Sequence, residues 1–219
     1  LPISESLARL NPTLFRALPV CSGSAQGVLT LLTSLDLNAL TDLPEARDEE
    51  DEQLALDNGL TLLVKNIELR ALDNDSTAGA ILEAHRSLAT DTSLRQHLLS
   101  GINRGLSCAQ AIIATANHFC DTFSRSSSTY LQERVLDVRD VCYQLLQHIY
   151  GEARFPSPGQ LTQPSVCLAD DLTPGQFLEL DKTLLKGLLL KSGGTTSHTV
   201  ILARSFNIPT LVGVDNRSE

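Results

Sequence analysis

The chain has 219 residues, of which 42% are hydrophobic and 20% charged, with a formal net charge of −9. This balance predicts a folded globular protein with one large or two modest cores and excludes a disordered chain. The negative charge argues against general binding to nucleic acid, whose phosphates it would repel.

No apolar run approaches the roughly 20 residues that a membrane-spanning helix needs. The first twenty residues carry Glu5, Arg9 and Arg16, where a signal peptide would keep an uninterrupted apolar centre. We therefore expect no membrane insertion and a cytoplasmic protein. The five cysteines are scattered, without a CxxC pair, and there is no HxxxH pair. We expect the cysteines to be reduced and structural, and we expect no metal site.

The first predicted element is a short buried strand at 28–32, an apolar run with turn residues nearby. It is followed by EARDEEDE, 45–52, which holds six carboxylates in eight residues. One interpretation is a solvated first helical turn, in which the helix dipole favours negative charge. The other is a surface that steers a cationic partner.

From 43 to 150 the sequence shows almost only helical patterns. A long pattern ends near Leu72, two shorter ones cover 77–88 and 93–102, and a fourth begins after Ser107, a residue type favoured at N-caps.

The clearest helical pattern is STYLQERVLDVRDVCYQLLQHIYG, 128–151. Its apolar residues recur at steps of three or four, which places them on one face, and Gly151 supplies a C-terminal stop. About four helices joined by short connections predict a bundle.

After the helices, FPSPGQLTQP at 155–164 is the one loop-rich connection. Three further short apolar runs, 166–168, 187–190 and 210–212, are typical of buried strands, with brief helices between them.

The simplest architecture is α/β plus α, with a helical bundle inserted into a small α/β domain. Residues 1–33 and 151–219 are predicted to form the α/β subdomain, with 1–15 as a linker, and 34–150 the helical subdomain.

The stretch KSGGTTSHTVILAR, 191–204, places glycines and hydroxyl side chains directly before a helical run. Gly193 and Gly194 permit positive φ and let other groups approach the backbone, and Thr196 or Ser197 can cap the helix. We expect these four residues to form a phosphate loop.

His198 would then lie in the first helical turn. There the unpaired backbone N–H groups and the positive end of the helix dipole stabilise an anion and disfavour an imidazolium. A neutral imidazole is a nucleophile, so this position suits a phosphohistidine. Spacing alone leaves open a capping loop with an incidental histidine.

GGTTSHTVILARSFNIPTLVG, 193–213, is similar to the phosphohistidine signature of enzymes that use phosphoenolpyruvate. These include enzyme I of the bacterial phosphoenolpyruvate:sugar phosphotransferase system, pyruvate phosphate dikinase and phosphoenolpyruvate synthase. Four further segments resemble enzyme I, so that the resemblance covers nearly the whole chain: PVCSGSAQGVLTLL, ILEAHRSL, YLQERVLDVRDV and LADDLTPGQ.

The resemblance implies that His198 takes a phosphoryl group from phosphoenolpyruvate on Nε2 and passes it to a histidine of the carrier protein HPr. It also implies that the Thr173 hydroxyl hydrogen-bonds the other ring nitrogen. By its own pattern, Thr173 is an N-cap, followed by a first-position proline and by Gln176 for a capping box. One hydroxyl oxygen can cap the helix and also accept a hydrogen bond from His198.

Three more residues are candidates for carrier binding by resemblance: His85, Arg134 and Arg139. His85 could equally be an ordinary helix residue. The two arginines lie off the apolar face of their helix, near the carrier interface, at the subdomain junction or simply in solvent.

The sequence departs from enzyme I in two places. Thr195 stands where enzyme I commonly has arginine. The related dikinases have an uncharged residue at this position, so the loss of the positive charge is tolerable. RSLATDTSL, 86–94, has fewer large apolar and acidic side chains than its counterpart. The second departure fits a dedicated or tethered HPr-type carrier, whose high effective concentration replaces intrinsic affinity.

The family continues into a barrel domain that binds phosphoenolpyruvate and Mg²⁺, so we expect no cofactor in this chain and a further C-terminal domain as its partner. A multiphosphoryl transfer protein, which fuses carrier and enzyme I modules, is the expected parent. The chain should exchange phosphoryl groups with phosphorylated HPr but should not use phosphoenolpyruvate alone.

Two alternatives remain open. A swivelling domain of a dikinase would share the signature but lack the long helical insert. A non-catalytic interaction module would not depend on His198.

Overall fold

The structure is a computed structural model that describes residues 16–72, 76–156, 160–192 and 197–215. The predicted linker, 1–15, lies outside the described residues.

Five strands form one mixed sheet in the order β1-β5-β4-β3-β2. Their bounds are Arg16–Cys21 (β1), Val28–Leu31 (β2), Ser165–Ala169 (β3), Leu185–Leu190 (β4) and Thr210–Asp215 (β5). Strands β2, β3, β4 and β5 run parallel to one another, and β1 pairs with β5 in the antiparallel direction.

The predicted strands agree with β2 to β5, whereas β1 was not predicted as a strand. The β1 segment, RALPVC, contains Pro19, whose missing N–H makes a strand interior unfavourable. The proline is tolerated because β1 pairs only with β5 and lies at an edge of the sheet.

Eight helices are present in the described ranges. Their bounds are Glu49–Leu72 (α1), Ser76–Ala89 (α2), Thr92–Ile102 (α3), Cys108–Ser124 (α4), Thr129–Glu133 (α5), Val135–Tyr150 (α6), Pro174–Glu179 (α7) and His198–Ser205 (α8). A single 3-10 turn, Leu37–Ala39, precedes them. The predicted helix at 128–151 is divided into α5 and α6 at Arg134.

The predicted helix ends are confirmed at two positions. Ser107 is the N-cap of α4, and its side chain forms a reciprocal capping box with Gln110. Gly151 ends α6 with φ of 83°, in the left-handed region that glycine adopts without strain.

Two buried apolar clusters form the core. One lies among α1, α3, α4 and α6 and contains Leu56, Leu63, Leu98 and Leu145. The other lies between the sheet and helices α7 and α8, with Phe177, Leu188 and Val200 at its centre. The structure therefore has the predicted α/β plus α class, whereas the predicted domain bounds stay a prediction.

The acidic segment is only partly solvated. Glu49 and Glu50 are exposed in the first turn of α1, as predicted, but Glu52 is buried. Its carboxylate accepts hydrogen bonds from the Cys108 N–H at the amino end of α4 (2.7 Å) and from the N–H and Nε of Arg47 (both 3.0 Å). One carboxylate of the run is thus an internal anchor between two helices.

All five cysteines carry free thiols, as predicted. Burial raises the pKa of Cys108 to about 12 and that of Cys167 to about 11, so these thiols stay protonated. Among the described helices, none is both long and apolar enough to cross a membrane.

Candidate functional site

His198 and Thr173 lie at the same edge of the sheet. Thr173 follows β3 and is the N-cap of α7, whereas His198 follows β4 and is the first residue of α8. Because β3 and β4 are parallel and adjacent, their carboxyl ends bring these two loops together. The predicted position of His198 in a first helical turn is therefore confirmed.

The loop that leads to α7 is fixed on both sides. Thr199 Oγ1, one residue after His198, donates to the Leu172 carbonyl at 2.6 Å. On the other side, Ser34 Oγ donates to the Asp171 carbonyl and accepts from the Asp171 N–H, both at 3.0 Å. These contacts hold the start of α8 against the loop after β3.

The imidazole of His198 meets Asp137, a residue of α6 that is 61 positions away in sequence. Nδ1 lies 3.1 Å from Oδ1 and 3.0 Å from Oδ2 of the carboxylate. The Asp137 side chain is 1% exposed and that of His198 is 22% exposed. The nucleophile candidate is thus partly accessible and rests on a buried acidic group.

Asp137 is ionised at neutral pH. Burial raises its pKa, but the hydrogen bonds from His198 and His85 outweigh burial and bring the pKa to about 2. An ionised carboxylate only accepts hydrogen bonds, so Nδ1 of His198 must be the donor. In a neutral ring the lone pair is then on Nε2, which is the nucleophilic nitrogen.

His85 is buried rather than at the surface, and its contact with a carrier stays a prediction. Its side chain is fully buried, because α2 packs this residue against α6. Its Nε2 lies 3.3 Å from Asp137 Oδ1, and its Nδ1 lies 3.7 Å from Asp140 Oδ2. His85 on α2 and His198 on α8 therefore contact the same carboxylate oxygen, Asp137 Oδ1.

Asp140 connects this cluster to the start of α7. Its Oδ2 accepts from the Gly175 N–H at 2.6 Å, and its Oδ1 accepts from Gln144 Nε2 at 3.1 Å. A side chain at 175 would collide with the same carboxylate, so only glycine lets the backbone approach this closely.

The capping box predicted at Thr173 is confirmed. Thr173 Oγ1 accepts from the Gln176 N–H at 3.1 Å, and Gln176 Oε1 accepts from the Thr173 N–H at 3.0 Å. The group that faces Nδ1 of His198 is the Asp137 carboxylate. A hydrogen bond between Thr173 and the imidazole stays a prediction.

The two arginines take different places. Arg134 Nε lies 3.8 Å from Asp137 Oδ2, and its guanidinium lies over the Tyr130 ring. Arg139 reaches Asp171 at 3.5 Å and so joins α6 to the loop after β3, at the junction between helices and sheet. Contact of either residue with a carrier stays a prediction.

The predicted phosphate loop is described only in part. Ser197 is the N-cap of α8 and accepts from the Val200 N–H at 3.4 Å. Gly193, Gly194 and Thr196 lie outside the described residues. Within the described ranges, no group of three or more His, Cys, Asp or Glu side chains is placed to hold a metal ion.

Sequence reasoning missed Asp137 and Asp140, although a signal exists. Asp137, Asp140 and Gln144 recur at steps of three and four beside the apolar face of α6, and all three are buried. A polar stripe with the spacing of a buried face indicates an internal network rather than a solvated surface.

Two protein-family profiles match the chain. The N-terminal part of the phosphoenolpyruvate-utilising enzymes matches residues 16–134, and the mobile domain of these enzymes matches residues 161–219.

Curated relatives are similar over nearly the whole chain. Multiphosphoryl transfer protein 2 of Escherichia coli K12 is 72% identical over 214 residues, which are 98% of this chain and 26% of the relative. Multiphosphoryl transfer protein 1 of the same strain is 37% identical over 97% of this chain and 25% of its own. The phosphoenolpyruvate-protein phosphotransferase of Lactococcus lactis is 29% identical over 94% of this chain and 36% of its own. The chain thus spans about a quarter to a third of these relatives.

Solved structures share the fold. The N-terminal domain of Enzyme 1 - Nitrogen is 25% identical with a TM-score of 0.61, covering 93% of this chain and 85% of its own. An NMR solution structure of Enzyme I is 27% identical with a TM-score of 0.61, covering 93% and 84%.

Proposed function

Since this chain belongs to the family of phosphoenolpyruvate-utilising enzymes, we propose that it carries a phosphoryl group on Nε2 of His198 and exchanges it with a histidine of an HPr-type phosphocarrier. The observation that carries this proposal is the contact of His198 Nδ1 with the buried, ionised Asp137 at the amino end of α8. The contact leaves the lone pair of a neutral ring on Nε2.

The geometry supports each part of the transfer. The Nε2 lone pair of His198 attacks phosphorus while the bond from phosphorus to the donor atom breaks and its electrons leave with the donor. As the N–P bond forms, positive charge spreads over the imidazole, and Asp137 at 3.1 Å stabilises it through the Nδ1–H. The N–H groups and dipole at the start of α8 favour the phosphate oxygens.

Transfer to the carrier is the same step with the roles exchanged. A neutral imidazole nitrogen of the carrier attacks phosphorus, the N–P bond to His198 breaks, and its electron pair returns to Nε2. The proton stays on Nδ1 of His198 and remains hydrogen-bonded to Asp137 throughout, so neither direction requires the site to gain or lose a proton.

Use of phosphoenolpyruvate itself belongs, in this proposal, to a domain outside this chain. Relatives named phosphoenolpyruvate-protein phosphotransferase or multiphosphoryl transfer protein are three to four times as long as the matched region. Mg²⁺ is expected with that domain, where it would neutralise charge on the phosphoryl donor. The carrier is proposed to be a dedicated or tethered one, and a cytoplasmic location stays a prediction.

The helical segment argues against the swivelling-domain alternative. A dikinase swivelling domain was expected to lack a long helical insert, whereas six helices lie between β2 and β3 here. These helices also provide Asp137, so the proposed phosphorylation site depends on them.

The test is phosphorylation of the purified chain by a labelled HPr-type carrier. We expect acid-labile label on Nε2 of His198, found by mass spectrometry and by ³¹P and ¹⁵N NMR, and no label with phosphoenolpyruvate alone. His198→Ala should abolish labelling. His97→Ala, which changes an exposed histidine of α3, is the matched control and should be labelled normally.

Two results would contradict the proposal. Labelling of His198→Ala to the wild-type extent would place the phosphoryl group elsewhere. Labelling of the wild-type chain by phosphoenolpyruvate alone would show that no further domain is needed. A non-catalytic module predicts no labelling under any of these conditions.

A further inference from the structure

We infer that His85 is a positioning residue for phosphoryl transfer, which acts through Asp137 on the tautomer of His198. This inference rests on the proposed function of His198. The observation behind it is that one carboxylate oxygen, Asp137 Oδ1, lies within hydrogen-bond distance of two imidazoles, His198 Nδ1 at 3.1 Å and His85 Nε2 at 3.3 Å.

The contact fixes which nitrogen of His85 carries a proton. Asp137 is ionised and accepts only, so Nε2 of His85 must donate to it. A lone pair on Nε2 would face a negative oxygen in a site without solvent, which is strongly unfavourable. His85 therefore donates from Nε2 in both its neutral and its protonated form.

The other side of His85 is built of charged groups as well. Its Nδ1 faces Asp140 Oδ2 at 3.7 Å, beyond hydrogen-bond distance, and has no hydrogen-bond partner among the described residues. Asp140 is itself engaged by Gly175 and Gln144. Arg134 Nε approaches the cluster at 3.8 Å from Asp137. The Nε2–H of His85 is therefore one of the few donors within hydrogen-bond distance of the Asp137 carboxylate.

Loss of this donor would change His198. Without the His85 N–H, the buried Asp137 carboxylate is less well stabilised and binds a proton more readily. In the fraction of molecules in which Asp137 takes up a proton from solvent, the carboxyl group donates to Nδ1 of His198, and the neutral ring carries its own proton on Nε2. The nitrogen that must attack phosphorus would then have no lone pair. His85, on α2, would in this way affect chemistry on α8 without touching the phosphoryl group.

A role in positioning and a role at the carrier surface predict different kinetics. A buried positioning residue changes the maximal rate of transfer and leaves the half-saturating carrier concentration unchanged, whereas a surface contact raises that concentration. The test uses single-turnover transfer from phosphorylated carrier to wild type, His85→Leu and His85→Gln, over a range of carrier concentrations.

We expect His85→Leu to lower the maximal rate about tenfold or more, as for the loss of one hydrogen bond to a charged group, at an unchanged half-saturating concentration. His85→Gln, whose amide nitrogen can replace the Nε2 donor, should stay within about threefold of wild type. His97→Gln is the matched control on an exposed histidine.

Long-range ¹H–¹⁵N NMR of the histidine rings supplies the readout that a merely structural role would not move. We expect the His198 proton on Nδ1 in the wild type and in His85→Gln, and a shift towards Nε2–H in His85→Leu. If His85→Leu does not fold, the wild-type spectrum alone tests the inference. It should show a proton on Nε2 of His85, and a proton on Nδ1 alone would overturn the inference.

The inference and the proposed function fail differently. If wild type is phosphorylated on His198 and His85→Leu transfers at the wild-type rate, or shows only a raised half-saturating concentration, the positioning role is wrong and the proposed function stands. If wild type is not phosphorylated on His198, the proposed function itself is wrong, and with it the inference.

Discussion

Asp137→Asn is the substitution that tests the anchor of His198 most directly, because it keeps the shape of the side chain and replaces one acceptor by a donor. Oδ1 lies 3.1 Å and Oδ2 3.0 Å from Nδ1 of His198. Whichever way the amide is turned, its NH₂ group lies close to this nitrogen. The donor favours a lone pair on Nδ1 and moves the ring proton to Nε2.

The expected loss of activity is large. Replacement of an aspartate that orients a catalytic imidazole by asparagine costs on the order of 10⁴ in rate where it imposes the wrong tautomer. The His198 site also has the start of α8 to hold the phosphate, so we expect a loss of about 10² to 10⁴ in the single-turnover rate from phosphorylated carrier. The half-saturating carrier concentration should not change, because Asp137 is buried.

The same substitution has a stability effect of predictable sign. The pKa of Asp137 is lowered from 3.8 to about 2, which corresponds to on the order of 2 kcal/mol of stability. A lowered pKa stabilises the folded state above the unfolded-state value and loses this effect as pH falls through the folded-state value. The difference in unfolding free energy between wild type and Asp137→Asn should therefore be largest above about pH 4 and shrink between about pH 4 and 2.

Denaturant unfolding followed by circular dichroism at several pH values measures this difference, and rapid-quench labelling measures the rate. Unchanged transfer in a folded Asp137→Asn protein, with the His198 proton still on Nδ1, would refute the anchoring argument. A rate loss accompanied by a raised half-saturating concentration would instead indicate damage to the carrier surface.

Three further substitutions test the packing around the site. Glu52→Gln should destabilise the chain by about 1.5–3 kcal/mol in denaturant unfolding, because it weakens the bonds from Cys108 and Arg47, whereas the exposed Glu50→Gln in the same turn should stay within about 0.5 kcal/mol. Gly175→Ala should lower thermal stability and slow transfer, because the added methyl group collides with Asp140. The control is Gly79→Ala in α2, whose methyl group meets nothing within 4 Å and which should be neutral or stabilising by about 0.5–1 kcal/mol. Equal effects of the two substitutions would refute the close approach of Gly175 to Asp140. The ammonium group of Lys182 donates to three backbone carbonyls at the end of α7 and just after it. Lys182→Met should therefore lower the free energy of unfolding by about 1–2 kcal/mol, whereas the exposed Lys65→Met should change it very little. An unchanged stability of Lys182→Met would mean that water replaces the ammonium group.

Local sequence patterns predicted the parts of the structure that depend on neighbouring residues. The caps at Ser107 and Thr173, the stop at Gly151 and the place of His198 at the start of a helix follow from side chains within four positions of each other. Strand β1 was missed because Pro19 is unfavourable by local rules, and only its place at the sheet edge makes it acceptable.

Long-range contacts decided the site. His85, Asp137 and His198 are separated by 52 and 61 positions, and no local pattern around His85 or Asp137 predicts their contact with each other or with His198. The burial of His85 and of Glu52 could not be predicted from the sequence for the same reason, since burial of a polar side chain depends on which helices pack against it.

The sequence by itself therefore determined which residue is the nucleophile candidate and where several of the helices begin or end, because a motif and its caps act over a few residues. Only the tertiary structure decided which nitrogen of His198 can react. Asp137 determines which ring nitrogen of His198 carries the proton. A carboxylate can do this only when folding buries it away from water and brings the imidazoles of His85 and His198 into contact with it.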